Sequence, residues 1–99
     1  MKVLAVERPV PSVEEGRFTE DLLRDEAAKV WELQQSGILR ECYFRADRRE
    51  AVLVLECGSG DEAQRHLADL PLVRAGMIQF EVIPLRPYPG FARLFAPGT

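Results

Sequence analysis

The hydrophobic pattern changes period four times along the chain. Lys2 to Glu7 is a short run of branched and small apolar residues, the mark of a strand. Arg8-Pro9-Val10-Pro11 follows, and prolines cannot continue a central ladder. From Glu14 or Thr19 to Ser36 apolar residues recur at helical spacing, and Gly37 is the natural left-handed residue past the helix end. Ile38 to Ala46 and Glu50 to Cys57 are rich in branched and aromatic residues and flank a charged turn at Asp47-Arg48-Arg49, as in a hairpin. Ser59-Gly60-Asp61-Glu62 reads as a capping box, opening a helix that ends at Leu70-Pro71. Met77 to Leu85 is a last strand.

Strand, helix, strand, strand, helix, strand is the split β-α-β pattern of the ferredoxin-like α+β fold, with four antiparallel strands and both helices on one face. The expected domain is 1–86, with 87–99 a tail that packs on a neighbouring subunit through Tyr88, Phe91, Leu94 and Phe95.

Side-chain parity then separates the two sheet faces. Pairing the hairpin about its turn sets Arg45 opposite Val52, Tyr43 opposite Val54 and Glu41 opposite Glu56. The other face holds Cys42, Phe44, Leu53, Leu55 and Cys57 and is expected under the helices, with both cysteines small core residues. The mixed face suits a sheet-on-sheet dimer in a barrel. Glu7, Glu41, Glu56 and Glu81 are expected at its solvated rim; a carboxylate metal site there is the weaker alternative.

Length and composition narrow the function class. A chain of 99 residues is one domain. With 46% hydrophobic and 29% charged residues it is globular. A net charge of −3 with interleaved Lys and Arg argues against nucleic acid. No apolar stretch approaches the ~20 residues that span a bilayer, so no membrane partner is expected. Met1 to Val6 does not read as a signal peptide, which implies a cytoplasmic protein with reduced Cys42 and Cys57. Two cysteines and one histidine without metal-ligand spacing give no zinc site.

The first helix carries the most informative residue. At about 100° per residue, Leu22, Leu23, Ala27, Val30 and Leu33 share one side, and Glu26 falls within them. A carboxylate there is costly unless paired, hydrogen-bonded or set at a pocket. It either snorkels out beside the helix or serves as a proton-transferring group whose pKa burial raises. Trp31 flanks the stripe, and His66 lies at the edge of the second helix's stripe. Arg40, Tyr43, Arg45 and His66 are the candidates for holding a developing negative charge.

Several short pieces together resemble the muconolactone isomerase family of dimeric α+β barrel proteins. They are Asp25-Glu26, Gly37-Ile38-Leu39-Arg40, Tyr43 at a large-aromatic position, Leu70-Pro71-Leu72, Ile78-Gln79-Phe80-Glu81-Val82 and Arg86-Pro87-Tyr88-Pro89. Where the family has His after the arginine, this chain has Glu41. The resemblance implies a homo-oligomeric isomerase of aromatic catabolism that moves a proton between carbons of a small unsaturated lactone without a cofactor. It brings Glu26 and Arg40 into the site as catalytic, and ranks Tyr43 with them. Arg45, His66 and Trp31 are then expected to contact a small organic ligand. A cofactor-free monooxygenase or cyclase, or a non-catalytic ligand-binding dimer, are the alternatives within and outside enzymes.

Overall fold

A computed structural model of the chain describes residues 1–95. Four strands form one antiparallel sheet: β1 (Lys2–Pro9), β2 (Leu39–Phe44), β3 (Ala51–Glu56) and β4 (Ile78–Pro84), in the order β2-β3-β1-β4. Three helices accompany it: α1 (Glu20–Gln35), α2 (Gly60–Ala68) and the short α3 (Pro71–Arg74). This is the expected ferredoxin-like α+β architecture.

Each helix end has a local cause. Thr19 caps α1 by accepting the Leu22 amide at 3.2 Å. Gly37 closes α1 at φ +83°, and its amide donates to Gln34 O at 3.1 Å. A side chain at Gly37 would meet nothing within 4 Å, so the cost of adding one is conformational alone. Gly37→Ala should lower unfolding stability by about 1 kcal/mol in urea titration. Ser59 Oγ accepts the Glu62 amide at 3.1 Å, while the Glu62 carboxylate reaches back to the amide of Gly58, one residue before the cap.

The second helical segment does not run unbroken to Leu70. It stops at Ala68, and Pro71 starts α3 as its first residue, where a missing N–H costs nothing. Nor does Pro9 end the first strand early. β1 pairs with β3 only from Lys2 to Val6 but with β4 through Pro9, so proline sits where its β3 side is already free.

The hairpin register differs by two residues from the expected pairing. Tyr43 lies opposite Val52 and Glu41 opposite Val54. A shift of two preserves the faces, so the division of side chains survives. An irregularity between Leu39 and Glu41 inserts Arg40 as an extra residue. It turns Leu39 onto the helix face opposite Leu55, where it is buried.

Val3, Ala5, Leu33, Leu39, Leu53, Leu55, Cys57, Ala63, Leu67 and Leu70 form the core between sheet and helices. Burying one large aliphatic side chain there stabilises the fold by roughly 1.5–3 kcal/mol. A second cluster, Leu72, Met77 and Ile78, joins α3 to the start of β4 and meets Phe18, Leu22 and Leu23.

Four residues depart from their expected surroundings. Ala27 is exposed, so the buried stripe of α1 is narrower than the helical wheel suggests. Cys42 and Phe44 are on the helix face but exposed, because β2 is an edge strand that the helices leave partly uncovered. What cover Cys42 does have still pushes its thiol up. Glu7 is not on the mixed face: the parity that buries Val3 and Ala5 carries Glu7 under the helices as well. Glu41, Glu56 and Glu81 are exposed, as expected.

The opposite face of the sheet presents Leu4, Val6, Val52, Val54 and Ile83, all half-buried, with Tyr43 exposed. No helix covers it among the described residues. The tail forms a 3-10 turn, Gly90–Leu94, with Tyr88 edge-on to Phe91 at 5.0 Å between ring centroids. The Tyr88 ring takes the space that a Cβ at position 90 would need. None of this turn is buried, and the molecule extends 60 × 28 × 22 Å with a radius of gyration of 16.6 Å. A compact chain of this size has about 13 Å.

Candidate active site

At the end of the sheet where β1 leaves and β2 turns into β3, the helix face opens into a cavity of about 450 Å³. Its walls come from every layer: Glu7 on β1, Glu15 and Phe18 before α1, Leu23 on α1, Phe44 on β2, Arg49 in the hairpin turn, Leu72 on α3 and Ile78 on β4. It is an apolar space with a few charged groups converging on it, the usual make-up of a small-molecule site.

Glu7 lies one step past the last β1–β3 pair, where its Oε1 accepts the Ala51 amide at 3.0 Å. Burial raises its pKa above the ordinary value; the Ala51 hydrogen bond opposes this and the charge of Glu50 adds to it. Glu26 projects from α1 toward α3, where its Oε1 accepts the Leu72 amide at 2.9 Å. That amide is an orphan donor in the first turn of a helix without a side-chain cap of its own. Burial raises the Glu26 pKa too, against the Leu72 hydrogen bond and with the help of the Glu7 charge. Two half-buried carboxylates thus stand near enough for one to oppose ionisation of the other.

Arg49 stands across the cavity wall with its guanidinium carbon 5.7 Å from the Phe44 ring centroid. Its neighbours in the turn are occupied. Arg45 grips Asp47 through two hydrogen bonds, at 2.9 and 2.7 Å, and Arg48 Nε lies 2.9 Å from Glu50. Glu50 Oε1 is buried, and these arginines are its only close cations among the described residues.

A family model for muconolactone delta-isomerase matches residues 4–90. The chain belongs to the muconolactone delta-isomerase family. Solved structures agree on the fold. Muconolactone isomerase itself is 23% identical, with a TM-score of 0.69 over 90% of this chain and 92% of that one. A 5-chloro-2-hydroxyhydroquinone dehydrochlorinase from Burkholderia phenoliruptrix, in complex with 2,5-dihydroxybenzoquinone, is 17% identical, with a TM-score of 0.65 over 89% and 96%. No curated protein sequence matches the chain.

Of the six residues singled out from the family resemblance and the helix pattern, none lines the cavity; Glu26 reaches its wall only through the amide of Leu72. Arg40 lies on the inserted position at the far end of β2 from Phe44, about 13 Å away at strand rise, and donates to Gly37 O at 2.6 Å. Tyr43 points to the other face of the sheet, where its hydroxyl donates to Glu41 at 2.8 Å. Arg45 is held by Asp47. His66 is on α2, 3.7 Å from Glu62. Trp31 is 62% exposed on the outer side of α1. The polar and aromatic cavity residues missed were Glu7, Glu15, Phe18, Phe44 and Arg49. A signal for Glu7 was present: a carboxylate continuing the buried parity of Val3 and Ala5 breaks its pattern just as Glu26 does. Arg49 had none, since a hairpin turn has no periodicity.

Proposed function

We propose that the protein is a cofactor-independent isomerase that shifts a proton within a small lactone or unsaturated acid. The observation that carries this reading is Glu7, a half-buried carboxylate of raised pKa in the wall of an apolar cavity, with a second such carboxylate, Glu26, bonded to the amide of the wall residue Leu72. Glu7 belongs to the cavity wall, and its charge raises the pKa of Glu26.

The step needs nothing the protein lacks. An ionised carboxylate takes a proton from the carbon next to a conjugated carbonyl, and the electron pair moves into the enolate. The proton returns at another carbon of the conjugated system, so the double bond moves and the composition is unchanged. Raised pKa values suit this work, because the base then lies nearer the operating pH. The dehydrochlorinase of the same fold removes a substituent from a ring, and a general base could start that reaction as well. The test is a screen of lactones and unsaturated acids for deuterium uptake from heavy water. Isomerisation with solvent deuterium at the migrating position supports the reading; release of chloride from a chlorinated hydroquinone without isomerisation would replace it.

The reading includes a homodimer or larger assembly joined through the open sheet face, with the tail docked on a neighbouring copy. The uncovered Leu4, Val6, Val52, Val54 and Ile83, and the projecting Tyr88, Phe91, Leu94 and Phe95, support it. Exposed apolar groups in this number mark an interaction surface. Deleting residues 87–99 should lower the melting temperature or the assembled mass; a truncated protein that melts and assembles like the intact one removes the tail from the interface.

A further inference from the structure

We propose that residues 10–18 form a hinged flap on the cavity, shut in this structure, which swings open about Ser12 to admit a ligand. The flap belongs to the cavity whatever chemistry is done there, so it does not rest on the isomerase reading.

The segment is built to move as a piece. It joins β1 to α1, and none of its residues is buried. Its backbone pairs only with itself among the described residues: the Arg17 amide donates to Glu14 O at 3.1 Å, and the Phe18 amide to Glu15 O at 3.0 Å. Such a segment can leave the body of the protein without breaking its own turn. Three side chains hold it down. Val13 and Phe18 pack against the cluster of Leu72, Met77 and Ile78, and Arg17 Nη2 donates to Ala75 O at 3.4 Å. That carbonyl closes the C-terminal end of α3, where backbone acceptors lack partners within the helix and a cation is favoured.

The root of the flap opposes these contacts. Pro11 and Ser12 make a tight turn, and Ser12 has φ +70°, the one left-handed residue other than glycine among the described residues. Proline followed by a left-handed residue is the type II arrangement, which ordinarily takes glycine at the second corner. A serine there carries a steric cost that an opened conformation with negative φ is spared. Contacts at the tip hold the flap shut while strain at its root favours release. At the other end Thr19 is extended and caps α1, so the helix need not unwind when the flap moves.

The position of the tip ties this motion to the cavity. Glu15 and Phe18 are part of its wall, and Phe18 rests on Leu72 and Ile78 of the same wall. Lifting the flap takes away that side and opens a path to Leu23, while shutting it keeps water from whatever is bound.

The test labels the intact protein with 4-fluorophenylalanine and follows it by fluorine NMR, with Phe18→Leu assigning the Phe18 signal. Phe18 should exchange between two states on the microsecond-to-millisecond scale, and Phe80 in the sheet should not. Ser12→Val, whose branched side chain resists the left-handed region, should raise the open population about threefold or more. Arg17→Met should raise it too, whereas Ser12→Asn, which tolerates that region, should not. A cysteine placed by Leu23→Cys should then react with iodoacetamide faster in step with the open population, with the exposed Cys42 as the internal reference. One Phe18 state that neither Ser12→Val nor Arg17→Met alters would overturn the hinge, as would an equal change at Phe80, which means general loosening. A shifted Phe18 population with unchanged labelling at position 23 would overturn its control of the cavity.

Discussion

Glu26→Gln and Glu7→Gln should each lower turnover on the order of 10²-fold while raising the melting temperature near neutral pH. The two halves of this result have one cause. Each carboxylate is partly stripped of water, and its ionised form is disfavoured in the folded state. Between the ordinary glutamate value of 4.5 and the raised folded value, the folded protein keeps a proton that the unfolded chain has lost. Stability therefore falls as pH rises through that window and levels off above the folded pKa. An uncharged Gln avoids this loss. Its amide oxygen can still accept the Leu72 or Ala51 amide, so the local caps persist. Activity has the opposite slope, since the base must be ionised to work, and the acid limb of turnover should lie above 4.5. Removing the Glu7 charge relieves Glu26 and lets its pKa fall. Melting curves against pH, with deuterium uptake, measure both. If Glu7→Gln is inactive while Glu26→Gln keeps parental turnover, Glu26 is the cap of α3 and no part of the proton transfer.

Val54→Lys should convert the proposed assembly to a monomer at micromolar concentration, as read by light scattering, with the circular dichroism of the parent. Val54 pairs with Leu4 on one side and Glu41 on the other, so it sits in the interior of the uncovered sheet face. Covering one large apolar side chain there contributes roughly 1.5–3 kcal/mol, and a symmetric contact repeats each contribution from both copies. A lysine opposite its own copy brings two charges into an apolar contact, which desolvation and repulsion both disfavour. In the monomer the same lysine reaches water, so the fold should hold. A parent protein that is itself monomeric, or a Val54→Lys protein of unchanged mass, would rule this face out as the interface.

How much could be read in advance follows from the range of each interaction. Order and type of the elements were legible because they depend on neighbours a few residues apart: Ser59 as a cap, Gly37 as the helix stop, the branched residues of β3. Face assignment within the hairpin survived a wrong register because a two-residue shift returns every side chain to its own side. Glu26 stood out for the same local reason, as a charge inside an apolar helical stripe.

What needed the tertiary structure was whatever depends on groups far apart in sequence meeting in space. Glu26 acquires a purpose only when α3, forty-six residues on, delivers the Leu72 amide. Glu7 becomes its neighbour only when the folded chain brings the end of β1 within electrostatic reach of α1. Phe44 and Arg49 become cavity walls rather than a core residue and a turn residue because α1 and α3 do not extend over that end of β2. The inserted Arg40 also depends on pairing: a bulge is a mismatch between two strands and cannot be seen in either alone. Local spacing thus determined the elements and the family's α+β pattern. The cavity, the approach of Glu7 to Glu26 and the Arg49 guanidinium set on Phe44 were decided by packing, since no interaction confined to one segment could place them together.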